Sequence, residues 1–284
     1  MNDLQEYQAQ TFRLRPELRL STIEQAIEFV NQRGFIYFWP ISGILFPSLW
    51  AAVAGNRPVA DKHDDPGHIT WRWKDSLLGQ RKWYYAKILR GKATLISLDL
   101  LPYFYALSEN FGDPEQDYLQ LYQEGLLSRE ARLIYEALLR EGPLDTVNLR
   151  RTVQISSASP FERALTQLQR DFKILPIGVA ESGPWRYSFI YEPVHRHYPA
   201  LSEQARLISR PQARQKLLLT YFMALGGGDP AGANKLFQWK ASDLNQTIAQ
   251  LVPAGQLHQT TNWITLPPPN YYPNPISFTP KQKH

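Results

Sequence analysis

Three helical patterns followed by two strand-like runs fill residues 128–200, and no other feature constrains the architecture as tightly. Apolar residues recur at helical spacing over about 129–141, over 145–153 and through PFERALTQLQRDF. The period then shortens to that of strands in FKILPIGVA, and the turn ESGP leads into a second run, WRYSFIYEPV. Three helices closed by a two-stranded wing is the order of a winged helix, an elaboration of helix-turn-helix.

The same order returns in residues 201–266. RPQARQKLLLTYFMAL reads as one helix, and DPAGANKLF as a second, with Asp229 as its cap and Pro230 in its first turn. Ser242 caps a third helix, SDLNQTIAQLV, and GQLHQTTNWITL is hairpin-like.

The amino-terminal part is less regular. Ser21 and Glu24 have capping-box spacing ahead of Ile23, Ala26, Ile27 and Val30, and Gly34 is a plausible stop. GFIYFWPI reads as a buried strand, SLWAAVAG as a short helix after Pro47, and WYYAKILRGKATLISL as two strands turning at Arg90 and Gly91. Residues 102–110 form a short aromatic helix ahead of the acidic stretch FGDPEQDYLQLYQEG. The expected fold is therefore α+β and helix-rich, with tandem winged-helix units carrying small β-wings. The units are 1–127, 128–200 and 201–266, followed by a proline-rich tail over 267–284.

Charge is segregated along the chain. The net charge is +5, yet residues 57–92 alone carry nine basic and four acidic groups, and residues 196–284 carry nine and three. Residues 93–127 hold six acidic groups and no Lys or Arg. Such segregation suits a polyanion-binding surface; a merely solvated cationic face is the alternative. Cysteine is absent, which excludes disulfides, thiolate nucleophiles and cysteine-ligated metals. The first residues lack the apolar core of a signal peptide and no apolar run reaches the length of a membrane helix, so a cytoplasmic protein is expected.

Two segments stand out as nucleic-acid contacts. In the third helix of 128–200, Phe161, Ala164, Leu165, Leu168 and Phe172 make the core face, which leaves Arg163, Thr166, Gln167 and Arg170 opposite. Arginine suits phosphate or guanine, and glutamine suits a base edge. The corresponding helix of the last unit shows the uncharged Asn245, Gln246 and Gln250, which fits a scaffolding role. Read as extended chain, ITWRWKDSLL puts Ile69, Trp71 and Trp73 on one side and Thr70, Arg72 and Lys74 on the other. With Arg81, Lys82, Lys87, Arg90 and Lys92 it forms a basic strip interleaved with aromatic rings, which can hold phosphates while rings stack on an unpaired base. The alternative is that both tryptophans are core. The loop HDDPGH carries His63, Asp64, Asp65 and His68, but its spacing matches no standard zinc motif and an Asp-Pro-Gly turn accounts for it. No metal and no other cofactor is expected, and no phosphate loop, dinucleotide fingerprint or nucleophile elbow is present.

The helix STIEQAIEFVNQRGF, the strand GFIYFWPI, the segment WKDSLLG and the later tandem helix-turn-helix units together resemble the AlkZ/YcaQ family of winged-helix DNA glycosylases, in particular its AlkZ-related subgroup. The resemblance covers most of residues 20–265. It implies double-stranded, alkylated DNA as partner and hydrolysis of the N-glycosidic bond of a damaged purine in base-excision repair. Family members carry Gln-x-Gln or Gln-x-Asp on the strand after the first helix, where residues i and i+2 point the same way and reach one water and one sugar. This chain departs from the motif: Tyr37 and Trp39 occupy those positions. Neither is a water-activating base near neutrality, although either ring can stack on a base or simply be core. Chemistry then needs a carboxylate from elsewhere, and Asp75, Asp64 and Asp65 are the candidates. Two alternatives remain: a non-catalytic DNA-binding protein or transcriptional regulator that has lost the motif, and a protein-interaction module that uses winged helices without DNA.

Overall fold

Why the chain turns where it does is clearest at its first long helix. A computed structural model describes residues 3–59, 65–110, 112–183 and 186–267. After α1 (Asp3–Thr11), Thr22 rather than Ser21 caps α2 (Ile23–Arg33), with Gln25 closing the capping box. Gly34 ends α2 at φ 77°, and a Cβ there would lie 2.8 Å from a Thr220 methyl and 3.0 Å from Leu100. Positive φ and close packing both call for glycine. The chain continues through β1 (Phe35–Tyr37), α3 (Leu49–Ala54), α4 (Asp65–Leu77), β2 (Tyr84–Lys87) and β3 (Ala93–Ile96). The three strands form an antiparallel sheet in the order β1-β3-β2.

Helices α5 (Leu101–Tyr105) and α6 (Asp117–Gln123) lead to a second set: α7 (Arg129–Glu141), β4 (Leu144–Asp145), α8 (Thr146–Thr152), α9 (Ala158–Arg170), β5 (Ile174–Ala180) and β6 (Ser188–Pro193). Their sheet order is β4-β6-β5. Short helices α10 (Val194–His197) and α11 (Leu201–Arg206) precede a third set: α12 (Arg210–Leu225), β7 (Gly227–Gly228), α13 (Pro230–Phe237), α14 (Ala241–Leu251), β8 (His258–Thr260) and β9 (Trp263–Thr265). Here the sheet order is β7-β9-β8. Each set runs helix, strand, helix, helix, strand, strand, with the last strand in the middle of its sheet. That is the element order of a winged helix, and it occurs three times.

Three details of the sequence reading change. Residues 69–77 are helical rather than extended, because Asp65 to Gly67, expected as a turn, begin α4. Lys240, not Ser242, precedes α14, and it makes no side-chain cap bond. Helix α1 was not foreseen; it is tied to α12 by the Tyr7 hydroxyl, which donates to the Met223 carbonyl.

Packing does not follow the expected unit boundaries. In β1 and β2 alternate residues part company: Phe35, Tyr37, Tyr84 and Ala86 enter one core, while Ile36, Phe38 and Trp83 enter another with Trp73 and Leu77 of α4. The first of these cores also contains Leu217, Leu218, Phe222, Leu236 and Leu251 from the third set, together with Phe172, Leu175 and Val194 from the second. A separate core joins α7, α8 and α9, and it takes in Tyr118 and Leu127 from the segment before residue 128. Phe161, Ala164, Leu165 and Leu168 face it from α9, as their spacing predicts. Phe172 does not: it follows α9 at φ 53° and enters the larger core. Most of the expected proline-rich tail lies outside the described residues.

Candidate functional site

Strand β1 holds the first of the two positions where the resemblance puts polar catalytic groups. Tyr37 is 1% exposed, and its hydroxyl makes no hydrogen bond among the described residues. Burial pushes its pKa up to about 12, partly opposed by the Arg90 guanidinium. A ring enclosed edge-on against Phe46 cannot stack on a nucleobase, and a hydroxyl so hard to ionise is no base. Trp39 lies beyond the end of the strand, half-buried between Phe38 and Trp50 at ring distances of 5.3 and 6.1 Å. The i, i+2 relation therefore fails here: the strand stops at residue 37 and the two rings serve different cores.

Helical phase decides the fate of the aromatic-basic segment. In α4, Thr70, Trp73, Lys74 and Leu77 follow one another at spacings of three and one, and all are buried. Lys74, expected on a DNA-facing strip, is 1% exposed. Its Nζ donates to the Tyr187 hydroxyl at 2.9 Å and pairs with Asp75 at 2.8 Å, while the Tyr187 hydroxyl donates to Asp75 Oδ1 at 2.9 Å. Five rings surround the ammonium: Trp71 at 4.2 Å, Phe189 at 4.6 Å, Tyr85 and Tyr187 at 5.5 Å, and Phe38 at 5.7 Å to the ring centroids. The cage thus draws on α4, the residue after β1, strand β2, and strand β6 with the residue before it. Burial lowers the pKa of Lys74 to about 8, against the pull of Asp75. Asp75 is part-exposed, at 24%, and Trp71 reaches 37%. Asp64, and the side chain of Asp65, lie outside the described residues. Among those described, no group of three or more His, Cys, Asp or Glu side chains is placed to hold a metal.

A group of exposed and half-buried cations lies elsewhere, where the three sets meet. The turn at Leu89–Gly91 packs against α9 so closely that a Cβ on Gly91 would lie 3.1 Å from the Thr166 methyl and 3.8 Å from Arg170 Cδ. Lys87 Nζ reaches Thr166 Oγ1 at 3.4 Å and Glu162 at 3.8 Å, and the Lys87 backbone N–H donates to Gln169. Arg90, with φ 56°, donates to the Lys235 carbonyl of α13 at 2.7 Å. Arg163, Thr166 and Arg170 line one open depression on the outer face of α9 with Ser159, Glu162 and Gln167. Lys87, Arg90, Arg163 and Arg170 thereby form a strip across the first and second sets, with Glu162 touching it, while Arg90 binds the backbone of the third set at Lys235, whose own ammonium lies beside Gly43.

The remaining expected contacts divide. Gln167 accepts from the Ser128 hydroxyl at 2.9 Å and donates to the Leu126 carbonyl at 2.8 Å, so it secures the start of α7. Arg72 and Lys82 are exposed, while Arg81 stands 5.9 Å from the Tyr198 ring. Lys235 and Tyr187 were missed from sequence. Lys235 lies far along the chain in an unremarkable helix, but the partner surface of Lys74 had a signal, because TWRWK counted at helical spacing already turns Lys74 inward.

Three sets with one helix and strand order, each closed by a small antiparallel three-stranded sheet, make this an α+β, helix-rich fold before any relative is considered. The structure is similar to that of the Streptomyces sahachiroi DNA glycosylase AlkZ, with a TM-score of 0.58 and 11% sequence identity over 93% of this chain and 69% of that one. The AlkZ-related family matches residues 20–238, and the chain belongs to that family. No curated protein matches the sequence. Among the described residues, no helix is long and apolar enough to cross a membrane.

Proposed function

We propose that the protein binds duplex DNA through the strip formed by Lys87, Arg90, Arg163 and Arg170, and that it acts on alkylated purines in DNA repair. The observation that carries the binding is the seam itself: residues distant in sequence supply four cations, with Glu162 touching them, on a surface made by α9 and the Leu89–Gly91 turn. Exposed guanidinium and ammonium groups in such a strip neutralise phosphates and release counterions. Family membership and the likeness to AlkZ support the repair context. For excision the described carboxylate of choice is Asp75, since it reaches solvent beside the exposed ring of Trp71. A cationic alkylpurine is already a good leaving group, so one carboxylate that positions water and steadies the developing oxocarbenium charge is a sufficient apparatus.

A second reading has an observation of its own. Burial of Tyr37 leaves β1 without the polar pair, which favours a family member that binds DNA without cutting the glycosidic bond. Anisotropy titration of a labelled duplex should show binding whose log affinity falls with log salt by about 0.9 per phosphate contacted. Absence of binding at low salt would remove the DNA reading altogether. Free-base release from alkylated duplex, lost in Asp75→Asn, is expected of the first reading; tight binding with release at the spontaneous rate selects the second.

A further inference from the structure

Phosphate binding by the strip uses exposed cations and leaves Lys74 without a task. An ammonium that has surrendered its water to five rings is costly to keep, and proteins more often place methionine or leucine in such a space. What a buried lysine gains is chemical: the free amine becomes accessible to protonation equilibrium near neutral pH and is a strong nucleophile. Two groups that handle protons touch the nitrogen, the Asp75 carboxylate at 2.8 Å and the Tyr187 hydroxyl at 2.9 Å. Both are only part-buried, so the amine stands one side chain behind the surface, beside the exposed edge of Trp71. Lys173 provides the contrast: it too is buried, but its nitrogen donates to the neutral amide of Asn110 at 2.7 Å, with no carboxylate in hydrogen-bonding contact among the described residues.

We infer that Lys74 is a Schiff-base nucleophile toward an abasic site in DNA, attacking the C1′ aldehyde of the ring-opened deoxyribose, with Asp75 as its proton acceptor. The inference rests on the DNA reading above, and an abasic site is what base removal leaves behind. Asp75 first takes a proton from the ammonium. The amine lone pair then forms an N–C1′ bond while the carbonyl π pair moves to oxygen, which is protonated. Loss of that oxygen as water, carrying two of the three ammonium protons in all, leaves a protonated imine. The imine acidifies C2′: a proton passes from it to the Asp75 carboxylate, its electron pair forms the C2′–C3′ double bond, and the C3′–O bond breaks to release the 3′ phosphate. Water hydrolyses the imine and restores Lys74. Tyr187, whose pKa burial and Asp75 push far up, stays protonated and holds the carboxylate in place throughout.

Borohydride trapping tests this on the full chain. A duplex with one abasic site, made by excising a uracil, is incubated with the protein and sodium borohydride, which reduces the imine to a stable amine. A covalent protein–DNA species should form, and peptide mapping should place it on Lys74. With a pKa of about 8 the free-amine fraction, and with it the trapping rate, should rise about fivefold between pH 7 and pH 8. Lys74→Met and Lys74→Arg should abolish the adduct, and Lys173→Met should retain it. An adduct mapped to any other lysine overturns the inference, whatever the variants do. Anisotropy on the same duplex separates the two failures: binding without trapping overturns the inference and leaves the DNA reading standing, whereas no binding removes both.

Discussion

Lys74 and Lys173 are the two buried lysines among the described residues, and burial lowers the pKa of each to about 8. Their surroundings differ in kind. Lys173 sits just after α9, 5.6 Å from the Tyr135 ring, and donates to Asn110, whose own amide donates to the Asp171 carbonyl at 2.5 Å and the Ser108 hydroxyl at 3.0 Å. The bonds to Lys173 and Asp171 stitch the 108–110 segment to the end of α9, and the one to Ser108 braces the segment itself. Lys74 is bonded to a carboxylate and a phenol that both reach solvent. A shared pKa thus conceals two roles, because depression by burial reports only lost water, while reactivity needs a proton acceptor and a route to the surface.

The contrast can be broken most directly by truncation. Lys173→Ala should cost about 3–5 kcal/mol in urea unfolding, since it opens a cavity and strands the Asn110 carbonyl oxygen without water. Lys74→Met should cost less, about 1–2 kcal/mol, because the thioether fills the space between the rings while Asp75 and Tyr187 turn to solvent. A larger loss at Lys74 than at Lys173 would make Lys74 the structural bolt of the pair.

Stability against pH sharpens the same comparison. Between about pH 8 and their ordinary 10.5, both lysines carry fewer protons folded than unfolded, so unfolding takes up protons and stability rises with pH. Above about pH 10 the buried tyrosines reverse the slope: Tyr37, Tyr105 and Tyr198, raised to about 12, keep protons that the unfolded chain gives up. Thermal unfolding should therefore show greatest stability on the alkaline side, with the rise above pH 8 halved in each Lys→Met variant. An unchanged rise in Lys74→Met would mean that its ammonium is hydrated in solution.

The smallest effect on folding belongs to the strip. Arg163→Ala and Arg170→Ala should move stability by no more than about 0.5 kcal/mol, yet each should lower duplex affinity and reduce the salt slope by about one. Stability losses comparable with those at Lys173 would place these arginines in the packing instead.

Much of the fold was legible because helix caps and apolar periods are local. Gly34, Asp229 and the alternation in α9 each act within a few residues of themselves, and the elements they bound fall where the sequence puts them. Segment 69–78 was ambiguous for a physical reason: ITWRW alternates like a strand while Thr70, Trp73, Lys74 and Leu77 recur like a helix, and a short run satisfies both periods. The site was less legible, since its decisive relations are long-range. Tyr187 meets Lys74 across 113 residues of chain, and Arg90 meets Lys235 across 145. Tyr37 and Trp39 could be placed on the motif positions by alignment, but nothing local says that the strand ends between them.

The large core has a consequence for the order in which the chain can mature. Its amino-terminal contributors, Phe35, Tyr37 and Tyr84, pack with Leu217, Phe222 and Leu251, so roughly two hundred residues must be made before the first unit can close its own interior. The second unit has most of its core to itself and can settle while the ribosome is still working. In topological terms the middle of the chain interrupts two segments that share one core, and Phe172, Leu175 and Val194 fasten it to that core. A nascent chain stopped before α12 would present an open apolar sheet face to the cell, and chaperone demand should fall sharply once that helix emerges.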